Sequence, residues 1–278
     1  MDNVVTPDQK PLAEMEKPRR RFSWDQLLPF AGIFVFLAIW EIGVILFDVP
    51  SDLLPPPTEI AVVTVQKFDL LMENMWITAY EMLLGYILAI AVAVPLAVAI
   101  TSSARFDRFI TPILLFFQTV PKIAVAPLFL VWFGFGPLPK ILVAFLISFF
   151  PIIISTAVGL RSISPDMIDL ARSMGAKKLQ VFWRFRMPTS LPYFFSGLKV
   201  AATLAVVGAV VGEWVGADKG LGYLLLVSNS NLQTALMFST IIFLTMLGLL
   251  LFYAIELLEY FFIPWHVSRR TDQQQATM

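Results

Sequence analysis

Long runs of apolar residues, separated by short polar segments, make up most of this sequence. A helix needs about 20 residues to cross roughly 30 Å of hydrocarbon. Six runs reach or approach that length, at residues 27–47, 77–100, 110–133, 140–160, 193–215 and 235–262. The first run follows a long polar tail and lacks a small-residue cleavage site, so a membrane span is favoured over a signal peptide. The pattern predicts an all-α membrane protein with six transmembrane helices.

Prolines interrupt several of these runs. Pro95, Pro121, Pro127 and Pro151 lie inside predicted spans. Each removes a backbone donor, so we expect broken or kinked helices at these positions, with neighbouring helices satisfying the freed carbonyls.

The polar connection after the first run begins with three consecutive prolines. It then predicts a short amphipathic helix from Pro57 to about Asn74, lying along the outer membrane surface. A simple tether would explain this connection equally well.

The composition agrees with a membrane protein and excludes several chemistries. Hydrophobic residues make up 58% of the 278, and charged residues only 14%, compared with about a quarter in soluble domains. The chain has no cysteine and a single histidine, His266, which removes thiol catalysis and histidine or cysteine metal sites. The sequence GFGPLPK places Pro139 where a phosphate-binding loop requires its second glycine. We therefore expect neither an enzyme nor a cofactor site in this chain.

The distribution of basic residues predicts the orientation, because Lys and Arg near span ends resist translocation. If the amino terminus is cytoplasmic, the outer segments hold only Lys67, Lys219 and the boundary residue Lys140. The inner segments then hold fifteen basic residues: Lys10, Lys17, Arg19, Arg20, Arg21, Arg105, Arg108, Arg161, Arg172, Lys177, Lys178, Arg184, Arg186, Arg269 and Arg270. This predicts cytoplasmic tails at residues 1–26 and 263–278 around a transmembrane domain at 27–262, and a cytoplasmic loop at 161–192.

The loop at residues 161–192 has an ordered pattern of its own. Ser164, Pro165 and Asp166 are typical of a helix N-cap and first turn, and Gly175 is typical of a helix stop. A basic, aromatic segment follows, in which we expect burial of Leu179, Val181, Phe182, Trp183 and Phe185. A solvated linker would explain the charges but not this order.

The same loop resembles the cytoplasmic loop of permease subunits of binding-protein-dependent ABC importers. Their pattern is Glu-Ala-Ala, three residues, Gly, nine residues, then Ile-x-Leu-Pro. In this chain it is Asp169-Leu170-Ala171, Gly175 and Phe185-Arg186-Met187-Pro188, with Asp for Glu and Leu for the first Ala. The resemblance implies a coupling helix that docks on an ATP-binding cassette ATPase. The coupling residues it implies are Asp169, Leu170, Ala171, Arg172, Gly175, Ala176, Phe185 and Pro188.

The resemblance extends over most of the chain. LPPPTEI and residues 120–163 resemble the nitrate, sulfonate and taurine branch, and residues 212–238 resemble members associated with pyrimidine precursors of thiamine or with riboflavin-type compounds. It implies a type I ABC importer permease fold in the bacterial inner membrane and alternating access. The implied partners are a second permease copy, most simply as a homodimer, and an extracytoplasmic solute-binding protein. ATP and Mg would be bound by the partner ATPase, and the solute would be a small anion or a vitamin-related heterocycle.

Ionisable residues inside spans are candidates for the translocation pathway. Lys122 follows Pro121 in the middle of the third run; a pathway role and a structural pairing with a carbonyl or carboxylate explain it equally well. Glu213 and Trp214 lie at the outer end of the fifth run, where they indicate either an outer gate or an ordinary interfacial pair.

Other polar and small residues in the spans favour structural roles. Lys199 can snorkel, Glu41 and Glu81 can cap or anchor span ends, and Glu256 and Glu259 can pair with basic groups. We expect close helix packing at Gly197, Gly208 and Gly212.

A self-sufficient secondary carrier or channel is the alternative. It would need coupling carboxylates within the membrane, whereas the acidic residues cluster near the span ends. Solute flux through the lone chain would favour this carrier hypothesis.

Overall fold

A computed structural model describes residues 28–263, and its regular secondary structure over that range is entirely helical. The predictions for the tails at 1–26 and 264–278, His266 included, lie outside it. Eleven α-helices and one π-helical turn follow in chain order: α1 Leu28–Leu46, α2 Pro57–Gln66, α3 Phe68–Ser102, α4 Ala104–Thr119, α5 Lys122–Phe133, α6 Pro137–Arg161, α7 Pro165–Ser173, α8 Lys178–Val181, the π turn Phe182–Arg186, α9 Met187–Gly216, α10 Leu221–Ser230 and α11 Thr234–Phe262. The prediction of an all-α protein is confirmed.

Four helical stretches of the described chain are long and apolar enough to cross a membrane: α3, α6, the continuous stretch Lys178–Gly216, and α11. The pair α4 and α5 would add a fifth span, although the two helices meet at an angle of 94°. The first unit of the chain, Met1–Asp48, contains α1, whose residues Ala31–Leu46 form a shorter apolar helix. A multi-span protein is therefore confirmed, while the count of six stays a prediction.

The third predicted span is divided at Pro121. Val120 and Pro121 are both extended, with ψ angles of 129° and 100°. For Val120 this is expected, because a residue before proline avoids the helical region. Pro95, Pro127 and Pro151 instead lie inside α3, α5 and α6, which continue through them. Of the four prolines expected to break or kink a helix, Pro121 is the one at which the helix ends.

The helix predicted from Pro57 to about Asn74 is shorter than expected. α2 ends at Gln66, and residues 68–74 form the first two turns of α3. Leu71 is completely buried, as expected for a residue of a long packed helix and not for one of a helix on the membrane surface. A hydrogen bond of 2.8 Å between the hydroxyls of Thr64 and Ser239 joins α2 to α11.

The centre of the second unit, Val49–Met278, is built by α6 lying between α3 and α9. Ala144 of α6 is so close to its neighbours that a Cβ at Gly85 or Gly208 would come within 2.6 Å of it. A Cβ at Gly197 would likewise lie 2.5 Å from that of Ser155, and one at Gly212 would lie 2.8 Å from the Cα of Lys140. Small residues allow this approach in lipid, where packing drives helix association. The close packing expected at Gly197, Gly208 and Gly212 is confirmed.

Candidate functional site

The segment between α6 and α9, residues 165–186, contains α7, α8 and the π turn, and is called the α7–α8 segment below. α7 begins as predicted, with Ser164 at the N-cap position, Pro165 in the first turn and Asp166 beside it. The Ser164 hydroxyl makes no capping hydrogen bond, so proline geometry and the acidic first turn favour this start.

α7 ends in the turn that the glycine predicts. The amide of Ala176 donates to the carbonyl of Ala171 at 3.0 Å, and the amide of Gly175 donates to that of Arg172 at 2.8 Å. This pair of bonds defines a Schellman motif. Gly175 has φ +83°, and an added Cβ would meet nothing within 4 Å. Glycine is therefore favoured at this position because of the positive φ, and not because a larger side chain would lack space.

The α7–α8 segment has one face toward the protein and one toward its surroundings. Ala171 and Val181 are buried, each with 5% exposure. Leu170 and Met174 on α7 are 59% and 80% exposed, and Asp169, also exposed, pairs with Arg172 at 3.5 Å. An apolar surface next to a tight turn therefore remains uncovered in this chain.

Two burial predictions for this segment are wrong. Leu179 and Trp183 are exposed, whereas Val181 is buried and Phe182 and Phe185 are half-buried. α8 is a single turn, so it can bury only one face and the opposite side chains stay outside.

The π turn connects α8 to α9 without a break. The amide of Met187 bonds to the carbonyl of Phe182, five residues back. Pro188 follows immediately, and because proline has no amide and its ring crowds the carbonyl four residues earlier, a wider turn fits before it. Residues 178–216 thus form one continuous helical stretch.

Lys122 lies where α4 and α5 meet. Its ammonium donates to the carbonyl of Gln118 at 2.9 Å and lies 4.8 Å from the centre of the Phe150 ring. Gln118 is in the last turn of α4, whose carbonyls lack helical partners after the break. The contacts match the structural pairing considered for Lys122 in the sequence.

Glu213 binds the start of α10. Its carboxylate accepts hydrogen bonds from the Thr78 hydroxyl at 2.6 Å and from the amides of Gly222 and Tyr223. The two preceding amides, of Gly220 and Leu221, donate to Asn74 Oδ1 at 2.7 Å and Thr78 Oγ1 at 2.8 Å. Four amides at the helix start therefore have side-chain acceptors, which is what an N-terminus needs.

The glycine before α10 is fitted to this carboxylate. Gly220 has φ +116°, and a Cβ there would collide with the Glu213 carboxyl group. Sequence reasoning missed this network. Its signal was the polar stripe Asn74, Thr78 and Glu81, which repeats at helical spacing in an otherwise apolar stretch.

Two lysines form ion pairs between the spans. Lys140 Nζ lies 2.9 Å from Glu81 Oε1, and both side chains are buried, so Glu81 anchors α3 to α6. Lys199 lies 2.6 Å from Glu259 and 3.9 Å from Glu256. The pairing expected for Glu256 and Glu259 is confirmed, and Lys199 is their partner.

The residues predicted for the pathway do not form one site. Lys122 contacts Phe150, whereas Gly212, next to Glu213, approaches Lys140. These two positions on α6 are ten residues apart, or about 15 Å of helix rise. Trp214 is about half exposed. Within residues 28–263, no group of three or more His, Cys, Asp or Glu side chains is arranged to hold a metal.

The described chain is a multi-span helical protein with a tight turn and an exposed apolar surface between two of its central helices. Residues 82–264 match the family model described as binding-protein-dependent transport system inner membrane component. The chain belongs to this family. The family assignment confirms the resemblance seen in the loop motif and the prediction of a multi-pass membrane transport component that is not itself a catalyst.

The regions aligned with this chain span nearly the full length of three curated relatives. The formylaminopyrimidine transport permease protein ThiX of Halalkalibacterium halodurans is 36% identical over 244 residues, which are 87% of this chain and 97% of the relative. The riboflavin transport system permease protein RibX of Chloroflexus aurantiacus is 34% identical, over 90% of this chain and 94% of the relative. The taurine transport system permease protein TauC of Escherichia coli is 26% identical, over 89% and 94%.

A solved structure shares the fold. The structure described as inward-facing conformations of the MetNI methionine ABC transporter matches with a TM-score of 0.61 and 19% identity, over 71% of this chain and 98% of the matched chain. This likeness confirms the predicted type I importer permease fold.

Proposed function

We propose that this chain is the membrane-spanning subunit of an ATP-driven importer, and that its α7–α8 segment docks on a separate ATP-binding cassette ATPase. One observation carries the docking proposal: Leu170 and Met174 remain exposed beside the Schellman turn at Gly175. Exposed apolar side chains next to a rigid turn are typical of a surface that a partner covers. The family assignment and the transporter names of the relatives support the same conclusion.

Each coupling residue then has a distinct role. Leu170 and Met174 enter the ATPase surface, and the Asp169–Arg172 pair borders it. The buried Ala171 holds α7 against the permease. Gly175 and Ala176 form the turn.

Phe185 and Pro188 join the segment to α9. The helical stretch Lys178–Gly216 has 39 residues, which correspond to about 58 Å of helix. A displacement of α7 that reaches α8 through the Gly175 turn would be transmitted along this continuous helical stretch toward Glu213 and α10. This geometry supports alternating access driven by the ATPase.

The remaining partners follow from the same proposal. ATP and Mg are bound by the ATPase, a second copy of this chain completes the pathway, and an extracytoplasmic binding protein delivers the solute. Both termini and residues 161–192 face the cytoplasm, as the basic residues predict. The exposed apolar side chains of α5, among them Val131 and Trp132, are available to lipid or to the second copy.

Lys122 belongs in this proposal to the bend between α4 and α5. Its two observed contacts hold the broken span together, and Pro121 sets the break. Glu213 similarly acts as the cap of α10, with Trp214 at the outer interface. Both residues shape the pathway through the helices they fix.

We propose a vitamin-related heterocycle as the solute class. The formylaminopyrimidine and riboflavin relatives are 36% and 34% identical, a permease protein of Bacillus subtilis named for aliphatic sulfonates transport is 32% identical, and the taurine relative is 26% identical. A small sulfonate is the second candidate, supported by the resemblance of residues 120–163 to that branch. Solute-stimulated ATP hydrolysis with a formylaminopyrimidine, riboflavin and taurine, each with the cognate binding protein, distinguishes these classes.

The docking proposal is tested by co-purification of the ATPase and by solute-stimulated hydrolysis in proteoliposomes. Gly175→Val forces a β-branched residue into positive φ at a cost of about 1–3 kcal/mol, and it should weaken both readouts. Gly175→Asn is the matched control, because asparagine tolerates this conformation. Asp169→Lys should also weaken docking by placing like charges together. Normal values for both Gly175→Val and Asp169→Lys, or solute flux through the lone chain, would contradict the proposal.

A further inference from the structure

Two cavities adjoin each other at the end of the protein that carries the α7–α8 segment. One has a volume of about 540 Å³ and is almost wholly apolar, with Val94, Pro95, Leu160, Leu191 and Phe194 in its walls. The other, of about 490 Å³, is lined by Thr101, Ser102 and three basic side chains. Val98, Phe182 and Trp183 line both cavities. An apolar groove and a polar chamber are thus continuous across two aromatic rings.

The polar chamber carries uncompensated positive charge. Arg172, Lys178 and Arg186 line it, and no acidic residue does. Arg172 has Asp169 at 3.5 Å, but neither Lys178 nor Arg186 has an acidic partner among residues 28–263. Arg186 Nε is buried without a hydrogen-bond partner in that part of the chain, and its Nη1 reaches only the carbonyl of Thr101 at 3.5 Å. A partly buried guanidinium with an unpaired donor, beside a lysine without an acidic partner, favours an anionic ligand.

With α3, α6 and α9 as membrane spans, the apolar groove beside their ends would meet the acyl chains of the nearer leaflet. Its wall on α3 begins at Val94, eight residues before the helix ends at Ser102, which is about 12 Å of helix rise. Its other walls are the last turns of α6 and the first turns of α9. A soluble anion would fill only the basic chamber, and a neutral lipid only the groove.

We propose that the two cavities together bind one anionic phospholipid from the leaflet at this end of the protein. The phosphate accepts hydrogen bonds from Arg186 and Lys178, an acyl chain occupies the groove, and Trp183 lies at the boundary between them. Basic chambers between membrane helices on the cytoplasmic side suit anionic head groups. The leaflet is cytoplasmic if the orientation under the proposed function holds.

The lipid would stabilise the segment that carries the docking surface. Lys178, Phe182 and Trp183 belong to α8 and the π turn, and they follow the Gly175 turn directly in sequence. A bound lipid would hold α8 against α3 and α6, so anionic lipid should also strengthen coupling to the ATPase.

The test measures lipid retained by the purified complex of permease and ATPase, by native mass spectrometry, after exchange into vesicles of phosphatidylglycerol or phosphatidylcholine. Arg186→Gln should lower phosphatidylglycerol retention about fivefold, whereas the matched control Arg184→Gln, an exposed arginine outside both cavities, should not. Ala99→Trp fills the groove and should also lower phosphatidylglycerol retention. Ala91→Trp is the matched control, since Ala91 is an exposed residue of α3 outside both cavities, and it should not lower retention. Inorganic phosphate should compete only weakly.

The outcomes that would overturn the lipid proposal can be distinguished from those that would overturn the docking proposal. Equal retention of both lipids, full displacement by inorganic phosphate, or no effect of Ala99→Trp would contradict a phospholipid site. Loss of the ATPase from Arg186→Gln in both lipids alike would identify the chamber as a protein contact. Correct lipid selectivity in a chain that never binds an ATPase would support the lipid site and contradict the proposed function.

Discussion

Removal of the Glu213 carboxylate should lower the free energy of unfolding, because this carboxylate joins α9 to α3 and to the start of α10. Glu213 is 1% exposed and accepts hydrogen bonds from the Thr78 hydroxyl and from the amides of Gly222 and Tyr223. Glu213→Ala leaves the amides of Gly222 and Tyr223 without an acceptor, and the Thr78 hydroxyl keeps only its longer hydrogen bond to the carbonyl of Asn74, at 3.2 Å. Polar contacts between membrane helices contribute about 0.6 kcal/mol on average, and an orphaned buried donor costs about 1–3 kcal/mol. We expect a loss of about 2–5 kcal/mol in the free energy of unfolding.

The assay is reversible unfolding of the purified chain in mixed micelles, followed by tryptophan fluorescence, for three variants. Glu213→Gln keeps one carbonyl acceptor and should lose about half as much stability as Glu213→Ala. Glu73→Gln removes an exposed glutamate that pairs with Lys219 at 3.0 Å, and it should change stability by less than about 1 kcal/mol. An outer-gate role would instead give normal stability and lost transport in Glu213→Ala, and that result would refute the capping argument.

Three further predictions concern the spans. Lys122→Ala should lower the free energy of unfolding by about 1–3 kcal/mol, and Lys122→Arg should restore most of that stability. Normal unfolding with lost transport in Lys122→Ala would instead support the pathway role. Glu81→Gln and Lys140→Met should each lower the free energy of unfolding by about 3–5 kcal/mol, because each leaves a buried partner unpaired. In a double-mutant cycle, the double variant should lose less than the sum of the two single losses. Simple additivity would show that the pair is not coupled. Ser51→Cys should be labelled by an impermeant maleimide only from outside; labelling only from inside would reverse the orientation.

Local patterns in the sequence predicted those features that depend on neighbouring residues alone. The apolar runs located α3, α6, α9 and α11 because burial in lipid demands a minimum length. The helix stop at Gly175 was predicted because the bonds of the turn that forms it span only five residues. Proline's missing amide predicted a break or kink at four positions; a helix ends at Pro121, whereas α3, α5 and α6 continue through the other three.

Features that depend on distant residues could not be predicted in the same way. Thr78 and Glu213 are 135 residues apart in sequence, so the cap of α10 appears only when α3 and α9 are placed together. The boundary between α2 and α3 was missed because residues 57–74 are helical almost throughout, with one irregular residue at Lys67. The exposure of Leu179 and Trp183 depends on which face of α8 and of the π turn the other helices cover.

The most direct test of the docking surface is cross-linking, since the chain contains no cysteine of its own. Met174→Cys places a thiol on a residue that is 80% exposed next to the Gly175 turn. Ser51→Cys supplies an equally accessible thiol on the predicted outer side. In the assembled complex, a short bifunctional maleimide should join Met174→Cys to a single cysteine in the ATPase, with a yield that changes when ATP binds, and should give no product with Ser51→Cys. An assembled, active complex in which Met174→Cys gives no product would contradict the account.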